Sequence, residues 1–379
     1  MSTLPPREDP TLAAVDAALV DRGPEAPRPY LGASALGNPC DRALWYAFRW
    51  AREVRLSAKA LKAIADGHHG ETLMADRLRL VPGVTLWTGD DDGEQFGFED
   101  LNGHLKGHVD GVIEGLLQAP KTTHVWEHKQ VNEKKFARLK ALTQTDEKAA
   151  LEAWDGVYFV QAQLYMHYMD LSRHYLTCST PGGREQTSCR TAYQKEVAQW
   201  AIDRARRLIA STRPPLRVSE DPEWFECRFC DYHPICHGRE VARIHCRTCA
   251  YSTAQLAGDP WVCERRQLAL SVIEQQHGCP DHLIHPDLFE RHAEVIDGDP
   301  DAGTITYRLR ETGKEFKNGH RPSPDAEVFS SHEIRVAASG CKDPYAAIDW
   351  LEAASDPHVA EMRVVFDAEL TQVTPCPSA

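Results

Sequence analysis

The sequence has no apolar run approaching the length of a membrane span, and it does not open with a charged-then-apolar leader. The expectation is a cytoplasmic protein with no membrane partner. It also lacks internal repeats, and low-complexity character is confined to the N-terminus, so it does not read as a repeat array. An excess of basic charge is missing too: 43 Lys and Arg against 56 Asp and Glu give a net charge of −13. That balance does not advertise a nucleic-acid binder, but it does not exclude one, because a local groove counts for more than the sum. Two basic stretches stand out, Lys129 to Lys140 and Lys195 to Arg217, the latter with Arg204, Arg206, Arg207, Arg213 and Arg217. Each reads equally as a solvated helix face or, for the second, as a DNA-facing surface.

What the chain has in plenty is cysteine. Twelve cysteines without a secretory leader point to metal rather than disulfides. Seven of them crowd between Cys227 and Cys279 in two groups with ligand spacing. At 379 residues, 42% hydrophobic and 26% charged, the chain has room for two or three ordinary globular domains.

Pattern reading divides the chain at 1–28, 29–239, 240–298 and 299–379. The first part is a Pro- and acid-rich lead-in with one short helix. Tyr30 to Leu80 reads as helical, with a break at Asp66-Gly67 and a new helix carrying Glu71 in its first turn. Val84 to Ile113 reads as strands joined by an acidic turn, Asp90 to Gly93. His124 to Val131 is a further strand, and helices follow to Leu171. Leu176 to Cys189 is a strand and a Gly-Gly turn, and a long helix from Ala192 stops before Pro214-Pro215. Beyond 299, GTITYRL, KEFKNG, SHEIRVA and MRVVFDAELTQV read as strands, with a helix at Tyr345 to Ala354.

The chemistry-bearing residues lie in the second part. Asp110 sits in Gly107-His-Val-Asp-Gly111 at a strand end, and Glu127 and Lys129 occupy the next strand. With a period of two, both side chains face the same way. Two carboxylates and an ammonium on one spot suit a metal-dependent phosphodiesterase: the carboxylates hold Mg²⁺ or Mn²⁺, and the lysine orients water or offsets developing charge. Acid-x-Lys is a weak signal, since Glu133/Lys135, Asp146/Lys148 and Glu315/Lys317 match it too. Only Glu127/Lys129 combines a strand with G-H-x-D-G upstream. Gln161 and Tyr165, four apart on one helix, share a face.

The order Glu71, Asp110, Glu127-x-Lys129, Gln161-x3-Tyr165 resembles the RecB-like branch of the PD-(D/E)XK nucleases. The resemblance implies an α/β restriction-endonuclease-like core, a mixed central sheet flanked by helices. It also implies that Glu71, Asp110 and Glu127 bind the metal, Lys129 assists the nucleophile, and Gln161 and Tyr165 organise the site or contact DNA. Val109 stands where the family name has Pro. Relatives carry a metal-binding His on the first helix, and here both His68 and His69 are near.

Cys227-x2-Cys230-x5-Cys236 follows the core and Cys40 precedes it. One cysteine before and three after resembles the iron–sulfur exonucleases of CRISPR adaptation and the AddB nuclease domain, which implies a 4Fe-4S cluster; zinc on the same four thiolates is the alternative. The relatives further imply DNA as substrate, single-stranded or with a free end. They imply work in recombination, repair or DNA acquisition of bacterial or phage style, beside a recombination or single-strand-binding protein. The second group, Cys246, Cys249, Cys263 and Cys279, reads as a structural zinc module, with His282 as the alternative to Cys279 and His285 close by. Cys178, Cys189, Cys341 and Cys376 have no partner at ligand spacing and read as core or surface thiols. Against the nuclease stand two other readings: a silent nuclease-fold subunit that binds DNA or a partner, and a zinc-containing adaptor.

Overall fold

The structure, a computed structural model, describes residues 9–23, 26–321 and 327–339. The chain forms two compact units, one of residues 1–38 and 54–207, the other of 39–53 and 208–379. Among the described residues no helix is long and apolar enough to cross a membrane.

Three helices come first: α1 (Pro10–Asp21), α2 (Asp41–Phe48) and α3 (Ala58–Arg79). Asp9 caps α1 by accepting from the Thr11 and Leu12 amides, with Pro10 in the first position, where its missing N–H costs nothing. Ser57 caps α3, which then runs through Asp66-Gly67 without the expected break. A single glycine costs a helix only about 1 kcal/mol, and packing along 22 residues overrides it. Glu71 therefore lies in mid-helix and not in a first turn.

The strands of the first unit are β1 (Leu31–Gly32), β2 (Thr85–Trp87), β3 (Gly97–Asp100), β4 (Leu105–His108), β5 (Gly111–Glu114) and β6 (His124–Gln130). Then follow α4 (Glu133–Thr145), α5 (Ala150–Trp154), α6 (Gly156–Tyr168), β7 (Arg173–Ser179), β8 (Gln186–Ala192) and α7 (Lys195–Ala210). The main sheet has the order β2-β5-β6-β7-β8, and a small sheet has the order β1-β4-β3. All pairs of the main sheet are antiparallel except β6 with β7, which run parallel. A parallel pair needs a crossover, and α4 to α6 supply it. The mixed sheet with helices is the expected architecture. Met74 and Ala75 of α3 pack with Leu86, Ile113 and Trp126. Phe136, Leu151, Trp154 and Phe159 of α4 to α6 pack with Leu176, Cys178 and Cys189.

In the second unit α2 is joined by two one-turn helices, α8 (Phe225–Arg228) and α9 (His233–Cys236). A three-stranded sheet of β9 (Ser252–Ala254), β10 (Trp261–Cys263) and β11 (Leu268–Ala269) precedes α10 (Val272–Gln275). A second sheet holds β12 (Ala293–Asp299), β13 (Thr304–Leu309) and β14 (Glu315–Gly319), and α11 (Ser331–Ser339) ends the described chain. Segment SHEIRVA is thus helix where a strand was expected. Ser330 Oγ accepts from the Glu333 amide while the Glu333 carboxylate accepts from the Ser330 amide, a reciprocal cap that starts a helix. Ile334 and Ala337, three apart, then face the core. The helix at Tyr345 to Ala354, the strand beyond it, Cys341 and Cys376 lie outside the described residues.

This unit buries His245, His282, His285 and His292. Burial holds them neutral, pushed down to about 3 for His245 and about 4 for the other three. Unfolded, they titrate near about 6.5, so between these values the unfolded chain binds more protons. Their stability contribution is present above that range and lost as pH falls, each steepening the loss by up to about 1.4 kcal/mol per pH unit. Amide protection factors across residues 245–292 are expected to drop between pH 7 and pH 5; equal protection would contradict the assignment.

Candidate active site

Strand β6 carries the centre of the site. Glu127 is buried and Lys129 half-buried, and the strand's period places them on one face, where the ammonium pairs with Glu127 Oε1. Helix α6 begins at Asp155, whose carboxylate accepts from the Val157 and Tyr158 amides. From there Gln161 Nε2 reaches Glu127 Oε1 at 3.1 Å and the Tyr165 hydroxyl at 2.8 Å. Gln161 thus bridges the Glu127 carboxylate and the Tyr165 hydroxyl. One participant was missed: the Tyr158 ring lies 5.2 Å from the Lys129 ammonium, a cation–π contact. Its signal was available, three residues before Gln161 on the same helix face.

Asp110 occupies the two-residue junction between β4 and β5, and its Oδ2 accepts from the His128 amide at 2.8 Å. Two glycines make that junction possible. A Cβ at Gly107 would come 2.5 Å from the Phe98 ring and 2.9 Å from the Tyr165 ring. At Gly111 it would meet the Trp87 carbonyl oxygen at 2.5 Å, and backbone cannot move aside as a side chain can. Gly111→Ala is expected to cost about 1–3 kcal/mol through overpacking, read as a lower urea midpoint at unchanged slope; an unshifted midpoint would refute the account.

Glu71 arrives from α3. The helix approaches β6 closely at Gly70, where a Cβ would come 2.5 Å from Gln130 Oε1. Burial, then the charge of Asp110, raises the Glu71 carboxyl to about 7, against the pull of Lys129. Burial also raises Asp110, opposed by Lys129, the His128 amide and His68. Glu127 is raised by burial and by Asp110, with Lys129 pulling the other way. Burial works against charge on Lys129 as well, but Glu127 and Asp110 outweigh it and keep it protonated. Glu71, Asp110, Glu127 and Lys129 thus share one field, and His68, exposed on α3, reaches into it. His69 is exposed and shows no such link. Glu127 Oε2 is buried without a hydrogen-bond partner among the described residues. A buried carboxylate oxygen with nothing to accept is what a cation would satisfy.

The first cysteine group also comes together. Cys40 caps α2, Cys227 lies in α8, Cys230 follows it and Cys236 ends α9. Burial pushes the Cys227 and Cys230 thiols up, and the charges of Cys40 and Cys236 push them further. The Tyr232 amide donates to Cys230 Sγ at 3.4 Å and Arg217 Nε to Cys236 Sγ at 3.3 Å, both of which stabilise thiolate. The second group, Cys246, Cys249, Cys263 and Cys279, lines one small cavity together with His282. His285 does not line it: its Nδ1 accepts from the Asp287 amide. Cys178 and Cys189 are buried core thiols, pushed up to about 12 by burial. Among the described residues no three His, Cys, Asp or Glu side chains are grouped so that they could hold a metal ion.

The second basic stretch is largely spent on the protein itself. Arg204 is buried against the Leu36 carbonyl, Arg213 forks onto Asp287, and Arg217 serves Cys236 and Glu220. Arg204 and Arg217 are thus withdrawn from solvent, while Arg206, Arg207 and Arg213 stay exposed.

No protein-family model and no curated protein matches the sequence. Among solved structures, a protein called SSO0001 is 14% identical with TM-score 0.35, over 60% of this chain and 96% of that one. An alkaline exonuclease, LHK-Exo from Laribacter hongkongensis, is 13% identical with TM-score 0.34, over 52% of this chain and 91% of its own. Its complex with dAMP gives 12%, 0.33, 52% and 91%. Likeness this slight assigns the chain neither a family nor an activity.

Proposed function

We propose that the chain is a divalent-metal-dependent DNA nuclease of the RecB-like PD-(D/E)XK kind, hydrolysing phosphodiester bonds from DNA ends. The observation that carries this reading is the single charge-coupled group of Glu71, Asp110, Glu127 and Lys129, with a buried Glu127 oxygen left without a partner. Hard carboxylate oxygens fit Mg²⁺ or Mn²⁺, which Glu71, Asp110 and Glu127 would hold, with His68 beside them. Such an ion, when bound, polarises the phosphate and makes water more acidic. Lys129, protonated and held between Glu127 and Tyr158, orients the attacking water and offsets charge on the phosphate. Gln161 fixes the Glu127 carboxylate, and Tyr165 fixes Gln161.

Cys40, Cys227, Cys230 and Cys236, with mutually interacting thiols and two N–H···S contacts, fit a 4Fe-4S cluster. Its role is structural: it ties residue 40 to a segment almost 190 residues later. Recombination, repair or DNA acquisition, beside a single-strand-binding or recombination partner, is the setting in which such an enzyme would act.

The test is cleavage of end-labelled linear and circular DNA with Mn²⁺. The wild type should degrade the linear form, and Lys129→Ala and Asp110→Ala should each lose on the order of 10²–10³-fold. Equal cleavage by all three would sink the site, and DNA binding without cleavage by any would favour a silent nuclease-fold subunit. A visible absorption band with bound iron, lost in Cys230→Ala, distinguishes the cluster from zinc.

A further inference from the structure

The second cysteine group has no part in the proposed chemistry, yet three separate pieces of chain bring it together. Cys246 and Cys249 bracket a single 3₁₀ turn, Cys263 ends β10, and Cys279 lies in the loop after α10. Backbone hydrogen bonds fix these pieces on one another. The Cys246 amide donates to the His277 carbonyl at 3.2 Å, the Ala250 amide to Leu283 at 2.9 Å, and the Glu264 amide to Tyr251 at 2.8 Å. All four thiols line one cavity of about 20 Å³. That is room for an occupant the size of a water molecule. Soft sulfur donors exclude Mg²⁺ and Ca²⁺ and favour zinc. Four thiolates around a divalent cation leave two negative charges, and Arg265 and Arg266 line the same cavity, Arg266 paired there with Asp281 at 2.8 Å.

The turn between Cys246 and Cys249 holds something that needs holding. Its Arg247 points inward, 1% exposed, with its guanidinium 3.7 Å from the Trp50 ring centroid and 4.6 Å from that of Trp261. It donates to Gln275 Oε1 at 2.8 Å and to the Phe48 carbonyl at 2.6 Å. Next to it His245 Nε2 meets the Trp50 carbonyl at 3.0 Å, and the Arg243 amide donates to Ala51 at 3.0 Å. Burying a guanidinium is expensive unless its partners are fixed. The turn therefore clasps residues 48–51, which continue α2 from Cys40.

We propose that Cys246, Cys249, Cys263 and Cys279 bind one zinc ion in a four-thiolate site, and that this ion fixes the turn whose Arg247 clasps segment 48–51. His282 also lines the cavity, with a buried Nδ1 that has no partner among the described residues. Its Nε2 meets the His245 carbonyl at 3.2 Å, which leaves Nδ1 as the free lone pair and makes this imidazole the competing ligand in place of one thiolate.

Zinc content of the full-length protein, measured by mass spectrometry against protein concentration, tests this. Wild type and Lys129→Ala should carry one equivalent more than Cys263→Ser or Cys279→Ser, and His282→Ala should keep it. Equal zinc in wild type, Cys263→Ser and Cys279→Ser overturns the site. Loss in His282→Ala with retention in Cys279→Ser overturns the four-thiolate set in favour of three thiolates and an imidazole. Should the cysteine variants fail to fold, cobalt is added to metal-stripped Cys230→Ala protein, in which the first cysteine group is incomplete. One equivalent should raise the intense visible bands of a tetrahedral thiolate site, and their absence overturns the proposal. Loss of zinc should also raise hydrogen exchange at residues 48–51; unchanged exchange there overturns the clasp.

Discussion

Glu127→Gln should lower DNA cleavage by on the order of 10³-fold while leaving the metal-free protein as stable as wild type or more so. The amide oxygen can still accept from Lys129 and from Gln161, which donates at 3.1 Å. The amide nitrogen replaces the carboxylate oxygen that has no partner, and the buried negative charge disappears. The sign follows from Glu127 being raised above its ordinary value, chiefly by burial and then by Asp110. A raised carboxyl contributes stability while protonated and loses it as pH rises through its folded value. The variant, which mimics the protonated form, should gain on wild type as pH rises. Thermal melts in chelator at pH 5 and pH 8.5 should show its relative melting temperature higher at the second. A variant that cleaves like wild type, or melts far below it at both pH values, would remove Glu127 from the site's centre. Loss of chemistry with gain of stability is the usual signature of a strained functional group.

Trp126→Ala should cost about 3–5 kcal/mol. Trp126 precedes Glu127 on β6 and so points to the opposite face of the sheet. It is fully buried, packed with Met74, Ala75, Leu86, Ile113 and Tyr175. Its indole N–H donates to Thr177 Oγ1 at 3.0 Å, a hydroxyl that His128 Nδ1 also meets at 3.0 Å. Truncation leaves a cavity and strips α3 of its seat, and α3 carries Glu71. The fall in melting temperature should be roughly 6–20 °C at about 2–4 °C per kcal/mol. Trp126→Phe, which keeps most of the packing, should fall between. A cost below about 1 kcal/mol for the alanine variant would mean that α3 is held elsewhere.

Much of the candidate site was legible because strand and helix periods speak locally. Alternation put Glu127 and Lys129 on one face, and a spacing of four put Gln161 with Tyr165; the structure joins the pairs through one hydrogen bond. What local pattern could not supply was distance across the chain. Glu71 looked like an N-terminal acid because Asp66-Gly67 looks like a helix start. It belongs to a long helix that comes so close to β6 at Gly70 that a Cβ there would strike Gln130, sixty residues away. SHEIRVA alternates well enough for a strand, and only its cap and its buried Ile334 and Ala337 decide for helix. The arginines after α7 read as a solvated face or a DNA-facing surface because nothing local announces Asp287 or Cys236 as their partners.

Residues 39–53 belong with chain that follows residue 207, although residues 54–207 come between. Leu44, Trp45, Tyr46, Phe48 and Trp50 are all buried, and the bond from Arg247 to Phe48 spans 199 residues. During synthesis this apolar segment emerges early and waits for partners that the ribosome delivers last. A fragment ending near residue 207 would keep every proposed catalytic side chain and still expose that segment permanently. Attempts to trim the protein to its first unit should therefore yield aggregates, and an excision that also replaces 39–53 by a short polar linker should not.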